Sequence, residues 1–217
     1  MTTPSRREAN RIAREARIKV AALTTFAQSG YADTSMDAVA AAAGISKPTL
    51  YQYFASKEEL FTAVMQARRD DMLLAFEQPD PDKMPQQLYE FAWGYADTIL
   101  RPDLLSLARL IIGEAQRFPE IGRAYQASGP DRVLEGIMRY FDAQQTAGRL
   151  TFEDAELAAQ DFWGLILSAP RNRALYEPSN PPTKDDCARY IENGLRVFLK
   201  AYSTKPEQDI KALTQLL

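Results

Sequence analysis

The stretch TSMDAVAAAAGISKPTLYQYFASKEEL, Thr34 to Leu60, admits only short, closely packed helices. A helix starts at Thr34 or Ser35, where Thr34-x-x-Asp37 resembles a capping box. It ends at Gly44, where the chain must reverse and a positive φ is cheap. A further helix occupies Ser46–Phe54. A long one starts at Ser56, where Ser56-Lys57-Glu58-Glu59 is a second capping box, and continues to about Glu77. Two helices of roughly eight residues joined by Gly44-Ile45-Ser46 describe a helix-turn-helix.

Pro48 constrains the second of these helices. If Ser46 is the N-cap, Ile45 and Leu50 form a hydrophobic staple and Pro48 sits at N2, where no N–H is needed. The Ser46 hydroxyl must then accept from the Thr49 N–H. An alternative register makes Lys47 the cap and Pro48 N1. In either register, rotation at about 100° per residue turns Leu50 and Phe54 inward and Pro48, Thr49, Tyr51 and Gln52 outward.

The rest of the chain reads as all-α. Apolar residues recur at three and four, without a convincing alternating run. The first helix begins at Arg6 or Arg11 and ends at Ser29, with Gly30 as a left-handed cap. Gln78–Pro85 is a Pro-rich break after the long fourth helix. Beyond it, helices are expected at about Pro85–Arg101, Asp103–Phe118, Glu120–Ser128, Pro130–Ala147, Glu153–Ala174 and Lys184–Tyr202, with one or two turns after Lys205. Glu177–Thr183 is a turn-rich loop.

Several chemistries are excluded by what the 217 residues lack. There is no histidine and one cysteine, Cys187, so structural zinc sites and Ser-His-Asp or Cys-His catalysis have no ligands or base. No Gly-x-Gly or Gly-Lys step occurs, which removes dinucleotide and P-loop fingerprints. No cofactor, metal or catalytic residue is therefore expected. The apolar runs are far short of a bilayer span and the N-terminus is too charged for a signal peptide, so a cytoplasmic protein with no membrane partner is expected.

Charge is uneven. Residues 1–57 hold 8 Lys/Arg against 4 Asp/Glu, and the remainder holds 18 against 25. A basic head on an acidic body suggests that the head meets a polyanion. The outward face of the third helix fits a major groove: its apolar edges can touch thymine methyls, and Lys47, Thr49 and Gln52 can address base edges. Tyr53, Ser46 and Lys57 can reach phosphates.

These segments resemble the helix-turn-helix of the TetR/AcrR family of bacterial transcription regulators over about Arg11–Val64, with A-x-x-A-G-I-S, T-L-Y-x-Y-F and K-E-E-L at the family spacing. Pro48 stands where many relatives carry Gly. The resemblance implies an all-α homodimer: an N-terminal three-helix domain (residues 1–57, with a basic arm) joined through a long fourth helix to a helical ligand-binding and dimerisation domain (residues 58–217). Carried over by position, Lys47, Pro48, Thr49, Tyr51 and Gln52 face bases. Ser35, Ser46, Tyr53 and Lys57 hold phosphates, and Arg6, Arg7 and Arg11 form an arm. RLIIGEAQRFPE, Arg109–Glu120, and DAELAAQDFWGL, Asp154–Leu165, resemble the AefR-like subset of C-terminal domains.

Two features of the C-terminal part bear on function. Val133, Leu134, Ile137, Met138 and Phe141 form one stripe, and Glu153–Ala174 is apolar nearly all round through Phe162 and Ile166. A helix apolar on both sides needs two partners, so these residues are the expected dimer interface. Phe91, Trp93, Tyr95, Ile111, Glu114, Phe118, Phe162 and Trp163 are candidates for an aromatic-lined pocket taking a small, largely apolar effector. Glu114 is either its polar anchor or one half of a structural pair with Arg117 or Arg173. The function expected is a ligand-responsive repressor on a palindromic double-stranded DNA operator. The alternatives are a helical protein-interaction adaptor, or a His-free enzyme with a vestigial helix-turn-helix.

Overall fold

Prolines and capping side chains set the helix boundaries in the computed structural model, which describes residues 5–216. In chain order the helices are α1 (Arg6–Asp33), α2 (Met36–Ala42), α3 (Lys47–Tyr51), α4 (Lys57–Leu73), α5 (Met84–Ile99), α6 (Pro102–Glu114), α7 (Pro119–Ser128), α8 (Pro130–Thr146), α9 (Ala155–Tyr176), α10 (Lys184–Tyr202) and α11 (Pro206–Thr214). Of these, α6, α7, α8 and α11 open on a proline, whose fixed φ suits the first turn and whose missing N–H is not needed there. Short 3-10 turns at Leu74–Phe76 and Pro81–Lys83 connect α4 to α5. Among the described residues the β pairing is an isolated antiparallel bridge between Leu150 and Ser203. The chain is all-α, as its periodicity predicts.

Local differences from the expected boundaries have local causes. Gly30 does carry a positive φ of 86°, but its ψ of 164° is extended rather than left-handed helical. The chain therefore kinks there and adds one turn to Asp33. Thr34, expected as a possible cap for α2, closes α1 instead. Its N–H and hydroxyl both donate to the Gly30 carbonyl, at 3.2 and 2.5 Å. Ser35 is the α2 cap, accepting from Ala38 N at 3.1 Å. α4 ends at Leu73, and the following turn tightens to 3-10 before the Pro-rich break. α9 runs two residues further than expected, to Tyr176.

The chain packs as two compact units, and the division falls inside α4. The first holds the chain up to Ala67 together with Pro102–Ser128. Its core joins Ile18, Leu23 and Phe26 of α1, Val39 of α2, Leu50 of α3 and Leu60, Phe61 and Val64 of α4 to Leu107, Ile111 and Ile121 of α6 and α7. Phe26, Tyr31 and Phe61 form a ring trio with centroids 5.4–5.6 Å apart.

The second unit holds Arg68–Arg101 and Gly129–Leu217. Its core is aromatic: Phe76, Phe91, Tyr140, Phe141, Phe162 and Phe198 are all buried. α9 and α10 pack tightly at Gly194, where an added Cβ would stand 2.6 Å from the Leu165 carbonyl oxygen. Arg149 ties three segments: its guanidinium donates to the Pro81 carbonyl and, at 2.6 Å, to the buried Asp209 carboxylate. No helix among the described residues is long and apolar enough to cross a membrane.

Candidate nucleic-acid interface

The Ser46 register decides how α3 presents itself. Ser46 is the N-cap: its Oγ accepts from Thr49 N at 3.3 Å and lies 2.8 Å from the Thr49 hydroxyl. Pro48 is thus at N2, and the alternative with Lys47 as cap does not occur. α3 itself is short, but Tyr53 N and Phe54 N still bond to Leu50 O at 3.0 and 3.1 Å, so one helical path carries the chain to Phe54. Gly44 makes the reversal before it with φ 63°.

Leu50 and Phe54 are buried in the first unit's core, with Ile45 packed against it. Burying a leucine is worth about 1.5–3 kcal/mol, enough to fix the rotation of so short a helix. The opposite face is then forced outward. Lys47, Pro48, Tyr51 and Gln52 are exposed and Thr49 is half-buried. Tyr51 keeps 45 % of its surface in solvent, unusual for a large aromatic.

The polar groups around this face are placed unequally. Lys47 Nζ pairs with Asp37 at 2.8 Å, a bridge from α3 to α2, and Asp37 holds the Lys47 ammonium above its ordinary pKa range. Ser35 and Ser46 are exposed but already engaged as caps. Tyr53 is half-buried against the core. Lys57 Nζ donates to the Tyr31 and Ala32 carbonyls, tying the start of α4 to the end of α1. Arg6 and Arg7 are exposed on the first turn of α1. Arg11 pairs with Glu8 at 2.9 Å and Glu15 at 3.7 Å, and Glu8 chiefly raises its pKa, with Glu15 and Tyr53 adding. The sequence reading missed Asp37 as the Lys47 partner. Ten residues separate them, beyond any helical spacing rule.

The start of α4 is fixed by a capping exchange. Ser56 Oγ accepts from Glu59 N at 3.1 Å, and Glu59 Oε2 accepts from Ala55 N at 2.8 Å, one residue earlier than a standard capping box. Glu58 accepts from its own N–H and from Ser56, which hold its carboxyl below the usual range. Burial, with Glu58 facing it, pushes the Tyr31 phenol up.

The eight residues expected to line one pocket are divided between the two units. Phe91, Trp93, Tyr95, Phe162 and Trp163 belong to the second unit's core and its rim. Ile111 and Phe118 belong to the first unit's core, and Glu114, also in the first unit, is half-buried. Arg173, one partner considered for Glu114, instead pairs with Asp186 at 3.2 Å and donates to the Asn180 carbonyl. Of the residues expected to meet a second chain, Val133, Ile137, Phe141, Phe162 and Ile166 are sealed inside the second unit's own core; only Leu134 and Met138 keep a partial surface. α9 packs its buried face against α8 and α10. Large apolar side chains left in solvent on this pair are Leu157 and Tyr176 of α9 and Val197 of α10.

Known proteins share this architecture. The family model described as bacterial regulatory proteins, tetR family, matches residues 18–64, and that of the AefR-like transcriptional repressor, C-terminal domain, matches residues 86–204. The HTH-type transcriptional activator FasR of Mycolicibacterium smegmatis is 43% identical over 70 residues, which are 31% of this chain and 32% of FasR. The chain thus aligns with about a third of that relative's length. A TetR-family transcriptional regulator from Mesorhizobium loti is 30% identical, with 89% of this chain and 98% of that one superposed at a TM-score of 0.72. The flavonoid-responsive regulator FrrA is also 30% identical over 89% of this chain and 98% of its own, at a TM-score of 0.69. With one model on the helix-turn-helix, another on more than half the chain, and whole-length likeness to solved regulators, the chain belongs to the TetR family of bacterial, DNA-binding transcription regulators.

Proposed function

We propose that the protein is a ligand-responsive repressor that binds a palindromic operator as a homodimer in the cytoplasm. The observation that carries this reading is the outward face of α3: Pro48, Tyr51 and Gln52 stand in solvent because Leu50 and Phe54 are locked inward. An exposed Pro-Thr-Tyr-Gln surface on a helix held rigid by its core is suited to base edges in a major groove. Lys47, tethered to Asp37, is positioned beside it. In this reading Ser35, Ser46, Tyr53 and the Arg6, Arg7 and Arg11 arm take the phosphates, and Lys57 contributes mainly by holding α4 to α1. In this reading residues 1–57 contact DNA, and residues 58–217 bind the effector and the second subunit.

Two copies must present recognition helices about 34–36 Å apart to enter successive major grooves. The dimer face proposed here is the outer side of α9 and α10, where Leu157, Tyr176 and Val197 are exposed. A small, largely apolar effector in the second unit would weaken DNA binding by favouring a different arrangement of α4, a coupling typically of ~1–3 kcal/mol. No catalytic role is proposed.

The test is a gel shift on the DNA flanking the protein's own gene. Wild type binds a short palindromic segment there in competition with random DNA, and Tyr51→Ala and Gln52→Ala do not. Equal behaviour of all three proteins would overturn the reading.

A further inference from the structure

Phe76, in the 3-10 turn that follows α4, is only 6 % exposed. Its ring is the middle layer of a sandwich. It lies 4.3 Å from the Phe91 centroid with 4° between planes, and 3.9 Å from Tyr140 with 9°. Aromatic rings prefer offset or edge-on contacts with centroids ~4.5–7 Å apart, because stacked faces repel. The neighbouring rings obey this: Phe141 meets Phe162 at 72° and 5.5 Å, and Phe162 meets Phe198 at 66° and 5.1 Å. Between α5 and α8 there is thus a slot one flat ring thick, and a ring carried on a turn fills it.

Gln144 stands one turn beyond Tyr140 on α8 with 0 % exposure. Its amide lies beside the Tyr140 phenol, near enough to oppose the rise that burial causes in the phenol's pKa, yet neither Nε2 nor Oε1 meets a partner with full hydrogen-bond geometry. Buried polar groups nearly always have well-made hydrogen bonds, so a sealed amide without one is an anomaly in this core. The segment carrying Phe76 is latched by another amide. Gln87 Nε2 donates to the Ala75 and Gln78 carbonyls at 3.2 and 2.8 Å. Gln87 Oε1 accepts from Asp80 N at 2.9 Å and from the Tyr140 hydroxyl at 3.1 Å. One wall of the slot therefore also holds the latch.

We propose that the slot between Phe91 and Tyr140 is an effector site for a planar aromatic compound bearing an adjacent donor and acceptor, such as a fused-ring lactam, and that Phe76 is a built-in plug that the compound expels. The guest's ring takes the place of the Phe76 ring, and its N–H and C=O pair with the Gln144 amide. Expulsion unseats the Leu74–Phe76 turn, which continues directly from α4, so occupancy reaches α4 through the chain itself. The inference rests on the reading of residues 58–217 as the effector-binding part. A seated plug also taxes affinity, because the guest binds only the fraction of molecules whose slot is open.

The test titrates 2-quinolone into the full-length protein and variants by calorimetry. Phe76→Ala binds it at least tenfold more tightly than wild type, and Phe76→Leu, which removes less volume, gives a smaller gain in the same direction. Adding Gln144→Leu to Phe76→Ala removes most of the gain. 1-Methyl-2-quinolone, whose donor is blocked, binds Phe76→Ala at least tenfold more weakly than 2-quinolone. Circular dichroism melting checks that each variant is folded; if Phe76→Ala is not, Phe76→Leu decides. Absence of any gain on trimming Phe76 overturns the plug, and a gain that survives Gln144→Leu overturns the amide anchor. Operator gel shifts of the same wild-type sample, without ligand, report on the regulator reading separately. Retained DNA binding with no gain in the Phe76 variants sinks the slot alone, and lost DNA binding with the gain intact leaves the slot standing.

Discussion

The Lys57 ammonium sits 2.7 Å from the Tyr31 carbonyl oxygen and 4.5 Å from the centre of the Tyr31 ring. A second bond, 3.2 Å to the Ala32 carbonyl, completes a cap made by the first residue of α4 on the last turn of α1. These carbonyls lie just beyond the Gly30 kink, where no helical N–H follows to take them. Lysine here is a structural donor before it is anything else.

Lys57→Ala should therefore lower unfolding stability by about 1–3 kcal/mol, the range for a hydrogen-bonded charge. Urea denaturation should show a lower midpoint at unchanged slope. Its DNA affinity should fall by similar factors on operator and on random sequence, because a loosened α1–α4 junction and a lost phosphate contact are both blind to bases. A selective loss on operator would contradict this.

On α3, contact and scaffold residues should separate. Gln52→Ala and Tyr51→Ala remove exposed groups, so stability should stay within ~0.5 kcal/mol while operator binding loses ~1–3 kcal/mol and random-DNA binding does not. Ser46→Ala removes the cap accepting from Thr49 N and should cost about 0.5–2 kcal/mol of stability. Thermal melting alongside competition gel shifts distinguishes the two classes.

Two glycines of the second unit offer a matched pair. A Cβ at Gly194 would stand 2.6 Å from the Leu165 carbonyl oxygen, which is backbone and cannot step aside without moving α9. A Cβ at Gly136 would meet the Leu73 side chain at 2.5 Å, and a leucine can change rotamer. Gly194→Ala should cost ~1–3 kcal/mol or more through overpacking, and Gly136→Ala clearly less. Equal melting temperatures for the two would count against this packing of α9 on α10.

Asp209 is almost fully buried, with one oxygen 2.6 Å from Arg149 and the other accepting from the Ser203 hydroxyl at 2.5 Å. Asp209→Ala strands a mostly buried guanidinium and should cost ~3–5 kcal/mol. Replacing both partners, Arg149→Met with Asp209→Leu, should recover a large part of that, since the stranded charge is gone. A double-mutant cycle by urea denaturation measures the coupling.

Some of this was legible without coordinates. The Ser46 cap, the Gly44 reversal and the outward set Pro48, Tyr51 and Gln52 depend on bonds and spacings within three or four residues, so the order of residue types carries them. The same holds for most helices of the C-terminal part, whose observed ends lie within two residues of those expected; α6 is the exception, ending at Glu114, four residues before the expected Phe118. Local order also misled, at Gly30, which kinks α1 instead of ending it, and at Thr34. Two possible caps stood side by side, and the choice fell to the Gly30 carbonyl four residues back.

Residue order alone makes this chain a string of amphipathic helices and turns one face of α3 outward, because helix periodicity and side-chain caps are short-range. What each apolar face meets is set by the three-dimensional packing. It put Ile111 and Phe118 with the core under α3, and Val133, Ile137, Phe141, Phe162 and Ile166 inside a single aromatic core. It also wedged Phe76 between Phe91 and Tyr140. Apolar burial has no direction of its own, so a stripe announces that it will be covered and leaves the identity of the cover to the packing of the whole chain.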